Sequence, residues 1–119
     1  MPWEVRFTAD VERWLDDLHL AEPASAEQVI AAIDVLGRVG PTLGRPLVDR
    51  IKGSRLTNMK ELRPGSTGRS ELRVLFVFDP ERRAVLLVAG NKAGNWTGWY
   101  RKAIPLAERL YDEHLRSGE

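Results

Sequence analysis

The chain has 119 residues, 43% of them hydrophobic and 29% charged, which suits one globular domain (residues 1–119) and argues against a disordered chain. It has no cysteine, which excludes disulfides, thiol nucleophiles and thiolate metal sites, and its two histidines argue against a His-rich metal centre. The formal net charge is +1, no apolar run is long enough to span a bilayer, and the first residues lack a signal-peptide pattern, so the expectation is a cytoplasmic protein with no membrane partner.

Trp3 to Thr8 alternates apolar and polar residues, the period of a half-buried strand. Thr8 can cap a helix over 9–18, where Val11, Trp14, Leu15 and Leu18 share one face. Glu22-Pro23-Ala24 breaks the chain. Ser25 and Gln28 then form a candidate capping box for a second helix that runs to about Arg38 and stops at Gly40-Pro41. Residues 41–55 read as loop. Three strands are expected next, over Leu56–Arg63, Leu72–Phe78 and Ala84–Ala89. Pro64–Gly68 and Asp79–Arg83 are the turns between them. The last two strands are apolar on both faces apart from Arg73, which places them mid-sheet with cover on each side. A helix over 96–115 closes the chain, with Pro105 either kinking it or starting its second half. The order β-α-α-β-β-β-α predicts an α+β fold with a mostly antiparallel four-stranded sheet, an N-terminal helical hairpin and a C-terminal helix.

Charge is unevenly spread along this order. Residues 1–44 hold three arginines against eight acids, a net of −5, whereas residues 45–73 hold eight cations against three acids, a net of +5. A stretch of one sign concentrates a polyanion nearby, although a solvated basic loop is the plainer reading. Side-chain parity sorts the stretch further. Leu62 points to the helix-covered core, so Glu61 and Arg63 point the other way, and Lys60 has to snorkel from the core side. Arg73 shares its lighter face with Leu75 and Val77. If the two lighter faces coincide, Glu61, Arg63 and Arg73 gather beside one another, with Asn91 and Lys92 just past the small pair Ala89-Gly90.

A carboxylate among cations suits RNA cleavage through the 2′-hydroxyl. Glu61 is a candidate base, Arg63 and Arg73 are phosphate clamps, and Lys92 supplies charge or a proton. A cross-strand salt bridge is the structural alternative for Glu61. Trp96, Trp99 and Tyr100 fall at helical spacing; they can stack bases or form the core face of a helix, and the Tyr100 hydroxyl needs a polar partner. His19 and His114 lie at helix ends and receive no role.

The segments Met59-Lys60-Glu61-Leu62-Arg63, Leu72-Arg73-Val74-Leu75-Phe76 and Leu87-Val88-Ala89-Gly90-Asn91-Lys92 carry a resemblance over nearly the whole chain. The sequence resembles the RelE/ParE superfamily of toxins from type II toxin–antitoxin systems, within it the HigB-like, phage Gp49-related branch. The resemblance implies a metal-independent, ribosome-dependent endoribonuclease, an mRNA interferase with no cofactor. It implies as partners a cognate antitoxin of helix-turn-helix type, mRNA on the ribosome, and operator DNA only through the antitoxin complex. It maps catalytic positions onto Arg63, Arg73 and Lys92, with Glu61 where several members carry lysine. Lys60, Arg69, Asn91, Tyr100 and Arg101 are the expected RNA-binding residues around them. Two alternatives stay open: a gyrase poison resembling the ParE branch, and a toxin fold without activity that serves as a binding module.

Overall fold

The computed structural model describes residues 2–65 and 68–117. Its elements are β1 (Glu4–Phe7), α1 (Ala9–Ala21), α2 (Pro23–Val39), a single 3-10 turn (Gly40–Thr42), β2 (Val48–Arg50), β3 (Lys60–Leu62), β4 (Leu72–Phe78), β5 (Arg83–Asn91) and α3 (Trp96–Ser117). The strands form one sheet in the order β1-β5-β4-β3-β2. β1 runs parallel to β5 and every other pair is antiparallel.

The architecture is α+β, as the element order predicts, but the sheet has five strands rather than four. The extra strand, Val48–Arg50, lies in the expected loop. It is three residues long between Pro46 and Gly53, too short to show a period, and it exists because it pairs with β3. β3 is shorter than expected, since residues 56–59 form a turn that delivers Met59 into the core under α3. Ser25 does not cap the second helix. That helix starts two residues earlier on Pro23, whose fixed φ suits a first helical position, and the Ser25 hydroxyl donates to Glu22 Oε1 at 2.9 Å. Thr8 does cap α1, accepting from the Val11 amide. Pro105 lies inside a single continuous α3.

Two cores explain why β4 and β5 are apolar on both faces. On one side α1 and α2 bring Val11, Ala32 and Leu36 against Leu62, Val74, Phe76 and Leu86. On the other, α3 packs Ala103, Ala107 and Tyr111 against Met59, Leu75, Val77, Val85 and Leu87. The turn before β3 is tied to α3 by Glu108, which accepts from Ser54 Oγ at 2.8 Å and from the Arg55 amide at 2.7 Å. Nearer the start of α3, Trp99 packs on the same core and Tyr100 reaches Glu61 of β3, where the charged residues emerge. No helix among the described residues is long and apolar enough to cross a membrane.

Candidate active site

Register places the charges. Glu61 of β3 lies opposite Leu75 of β4, so it shares a face with Arg73, two residues earlier on the same strand. Arg73 in turn faces Gly90 of β5. Gly90 leaves room for the Trp99 indole: a Cβ there would stand 2.3 Å from Trp99 Nε1. Gly90→Ala is expected to push Trp99 and its edge-on neighbour Tyr100 (ring centroids 4.9 Å apart) out of place. The expected cost is about 1–3 kcal/mol, read as a lower melting temperature.

Glu61 is 3% exposed and sits at the centre of the cluster. Its Oε1 accepts from the Tyr100 hydroxyl at 2.6 Å, its Oε2 accepts from Arg63 Nε at 3.0 Å, and Arg73 Nε lies 3.9 Å from Oε1. Arg63 also reaches Asp49 of β2 at 3.6 Å, and Asp49 accepts from Arg45 at 2.9 Å. Those hydrogen bonds, first from Arg45 and then from the Arg50 amide, hold the Asp49 carboxyl below its ordinary pKa. The unforeseen strand β2 therefore supplies one wall of the site. Arg73 is mostly buried. Its Nη1 donates to the Leu72 carbonyl at 2.7 Å, while its buried Nε makes no hydrogen bond among the described residues. The guanidinium is thus placed for its charge and is not locked to the carboxylate.

The structure brings Glu61, Arg63, Arg73 and Tyr100 together but treats the other expected site residues differently. Lys92 is near the cluster yet only 2% exposed, with its Nζ 3.0 Å from the centroid of the Trp96 ring and 3.8 Å from Glu71 Oε1. Burial, then the charge of Arg73, lowers its pKa. Asn91 is a turn builder, its Oδ1 accepting from the amides of Glu71 and Ala93 at 3.0 Å each. Lys60 is away from the site, on the α1/α2 side, where it donates to the Pro41 carbonyl and sits 5.6 Å from the Phe78 ring centroid. Arg69 is exposed in the turn before β4. Arg101 is exposed on α3, lining a recess with Gly53, Thr97 and Tyr100.

The aromatic residues divide. Trp99 and Tyr100 pack against the core under α3, whereas Trp96 is 55% exposed. Two participants have no role in the sequence reading, Asp49 and Glu71, and of the two readings open to Trp96 the core face does not hold. A signal for Glu71 exists, because Glu-Leu-Arg occurs twice, at 61–63 and 71–73, and period two sets both carboxylates beside an arginine.

Burial, then the Glu61 hydrogen bond and charge, pushes the Tyr100 phenol up to about 12. It is therefore a donor at any physiological pH. A pKa raised on folding lends stability that is complete below the unfolded value of about 10 and is lost as pH climbs toward the folded value. Tyr100→Phe removes that alkaline loss and leaves Glu61 one donor short, at an expected cost of about 1–3 kcal/mol near neutrality. Thermal melts of both proteins across the alkaline range check both parts of the expectation.

The fold and cluster define an α+β domain with cations grouped around a buried carboxylate at one end of its sheet. Residues 13–112 match the family described as phage derived protein Gp49-like (DUF891). The chain is 56% identical over 118 residues to a Mycobacterium tuberculosis protein named "Putative toxin HigB2", covering 97% of this chain and 57% of that protein. It is 50% identical over 107 residues to "Putative toxin HigB3" of the same organism, covering 90% of this chain and 89% of the relative. The chain belongs to the Gp49-like, phage-derived family and to its HigB-like members.

Proposed function

We propose that this protein is the toxin of a type II toxin–antitoxin system and that it cleaves mRNA on the ribosome. The toxin names of both relatives support the first part. The observation that carries the second is the buried Glu61 carboxylate with Arg63, Arg73 and Tyr100 gathered around it. On this reading Glu61 takes the 2′-hydroxyl proton, and Tyr100 holds the carboxylate in place. The 2′-oxygen forms its bond to phosphorus as the bond to the 5′-oxygen breaks. The proton held by Glu61 returns through solvent to that oxygen, leaving a 2′,3′-cyclic phosphate and a 5′-hydroxyl end. Arg63 and Arg73 carry the charge that builds on the phosphoryl oxygens, a role that planar guanidinium groups fill better than ammonium. Lys92 adds charge from beneath Trp96 without touching the phosphate. The exposed cations Arg69 and Arg101 are proposed to steer RNA toward the cluster. A toxin of this kind works in the cytoplasm and is silenced by a cognate antitoxin, here proposed to be a helix-turn-helix protein through which the pair meets operator DNA.

Brief induction in a bacterial host tests the reading. Translation should stop and primer extension should find new cuts within translated regions of mRNA. Continued translation with rising DNA-damage signalling would favour gyrase poisoning instead. Unaffected growth with protein present would favour an inactive binding module.

A further inference from the structure

We propose that the outer face of Trp96 is a stacking platform for a nucleobase of the RNA substrate, positioned from behind by Glu71 and Lys92; the inference rests on the endoribonuclease reading above. Trp96 opens α3 and is 55% exposed at the rim of the cation cluster. An exposed indole is ordinarily free to turn, but this one is fixed at two points. Its Nε1 donates to Glu71 Oε2 at 3.2 Å, and the Lys92 ammonium lies 3.0 Å from the ring centroid. Removing an ammonium from water is costly, and here the ring face and the Glu71 carboxylate are what compensate it. One face of the indole is therefore occupied by Lys92, while the residue remains more than half exposed. An aromatic plane held rigid beside phosphate-binding cations is what a base needs in order to stack at little ordering cost.

Spacing supports the same occupant. Glu71, which holds the ring, and Arg73, which faces the phosphate, are two residues apart, about 6–7 Å along extended backbone. The Lys92 ammonium under the indole also lies 5.8 Å from the ring centroid of Tyr100, which donates to Glu61, so the platform adjoins the cluster. Because every base has a π-face, the platform adds affinity without selecting sequence. It acts on binding and leaves the bond-breaking step alone.

Trp96→Leu and Trp96→Phe are to be compared with the wild type in two assays. The first is fluorescence titration with a short unstructured RNA carrying 2′-O-methyl riboses, which binds but has no free 2′-hydroxyl to attack. The leucine variant should bind about tenfold more weakly and the phenylalanine variant should regain most of the loss. The second is cleavage of mRNA on programmed ribosomes, where Trp96→Leu should raise the half-saturating concentration with the maximal rate within about twofold of wild type. A leucine variant that matches the wild type in both assays overturns the platform and leaves the nuclease reading standing. A wild type that cleaves nothing, yet binds the modified RNA in a Trp96-dependent way, overturns the nuclease reading and keeps the platform. A wild type that does not bind the modified RNA overturns the platform as well.

Discussion

Arg73→Ala is expected to lower the rate of mRNA cleavage by about 10²–10³-fold or more while the protein stays folded. The side chain is 15% exposed, lies 3.9 Å from Glu61 and leaves a buried Nε without a hydrogen bond. Its removal therefore takes away charge where the proposed mechanism puts the reacting phosphate and also relieves one unpaired buried donor. Glu61 keeps Arg63 and Tyr100 as partners, so the carboxylate is not stranded. The melting temperature should move only a few degrees, by the usual scale of about 1 kcal/mol for such changes. Arg73→Lys should recover little activity, because a point charge cannot reproduce a planar fork. A rate unchanged in Arg73→Ala would remove this residue from the chemistry.

The largest stability effect should come from a place remote from the chemistry. Asp79, at the β4–β5 turn, is 5% exposed. It accepts from the Arg83 amide at 2.9 Å, Arg83 Nε at 2.8 Å and the Glu81 amide at 3.0 Å, and its Oδ2 lies 2.9 Å from His114 Nε2 near the end of α3. One carboxylate thus ties the hairpin turn to the helix that positions Tyr100 and Trp96. Asp79→Ala takes away the buried partner of a poorly solvated Arg83, leaving it the exposed Glu81 carboxylate at 2.7 Å, and removes the acceptor of the turn amides and His114, with an expected loss of about 3–5 kcal/mol and a drop in melting temperature of about 10 °C or more. Burial acts to raise the Asp79 pKa, but the His114 hydrogen bond and the Arg83 and Glu81 donors outweigh it, and the carboxyl titrates below its usual 3.8. A pKa lowered on folding lends stability that is complete above the unfolded value and lost as pH falls through the folded one. Acid unfolding of the wild type should therefore steepen below about pH 4, and Asp79→Asn should flatten that limb. Chemical denaturation at a series of acid pH values reads both.

The gathering of Glu61, Arg63 and Arg73 is legible in the sequence, because parity along a strand is a local property. Leu62 facing the helices dictates where Glu61 and Arg63 go, and Phe76 does the same for Arg73. What parity cannot supply is cover. Lys92 reads as an open cation, yet Trp96 five residues before Arg101 folds over it, and only tertiary packing decides that an ammonium lies under an indole. Lys60 reads as basic and near the site, but its place on the α1/α2 side carries it to Phe78 and Pro41. β2 escaped notice because Val48-Asp49-Arg50 is too short for any pattern, and its pairing with β3 spans a turn. His114 at a helix end gave no hint of Asp79, since a side chain thirty-five positions away in sequence supplies its partner.

The claim that Glu61, Arg63 and Arg73 cut RNA through its own 2′-hydroxyl is met most directly on programmed ribosomes, with an mRNA carrying one 2′-deoxy residue at a mapped cut. The account predicts that cleavage disappears at that position alone and that the unmodified mRNA ends in a 2′,3′-cyclic phosphate. Cleavage of the deoxy position at the rate of the unmodified one would contradict it.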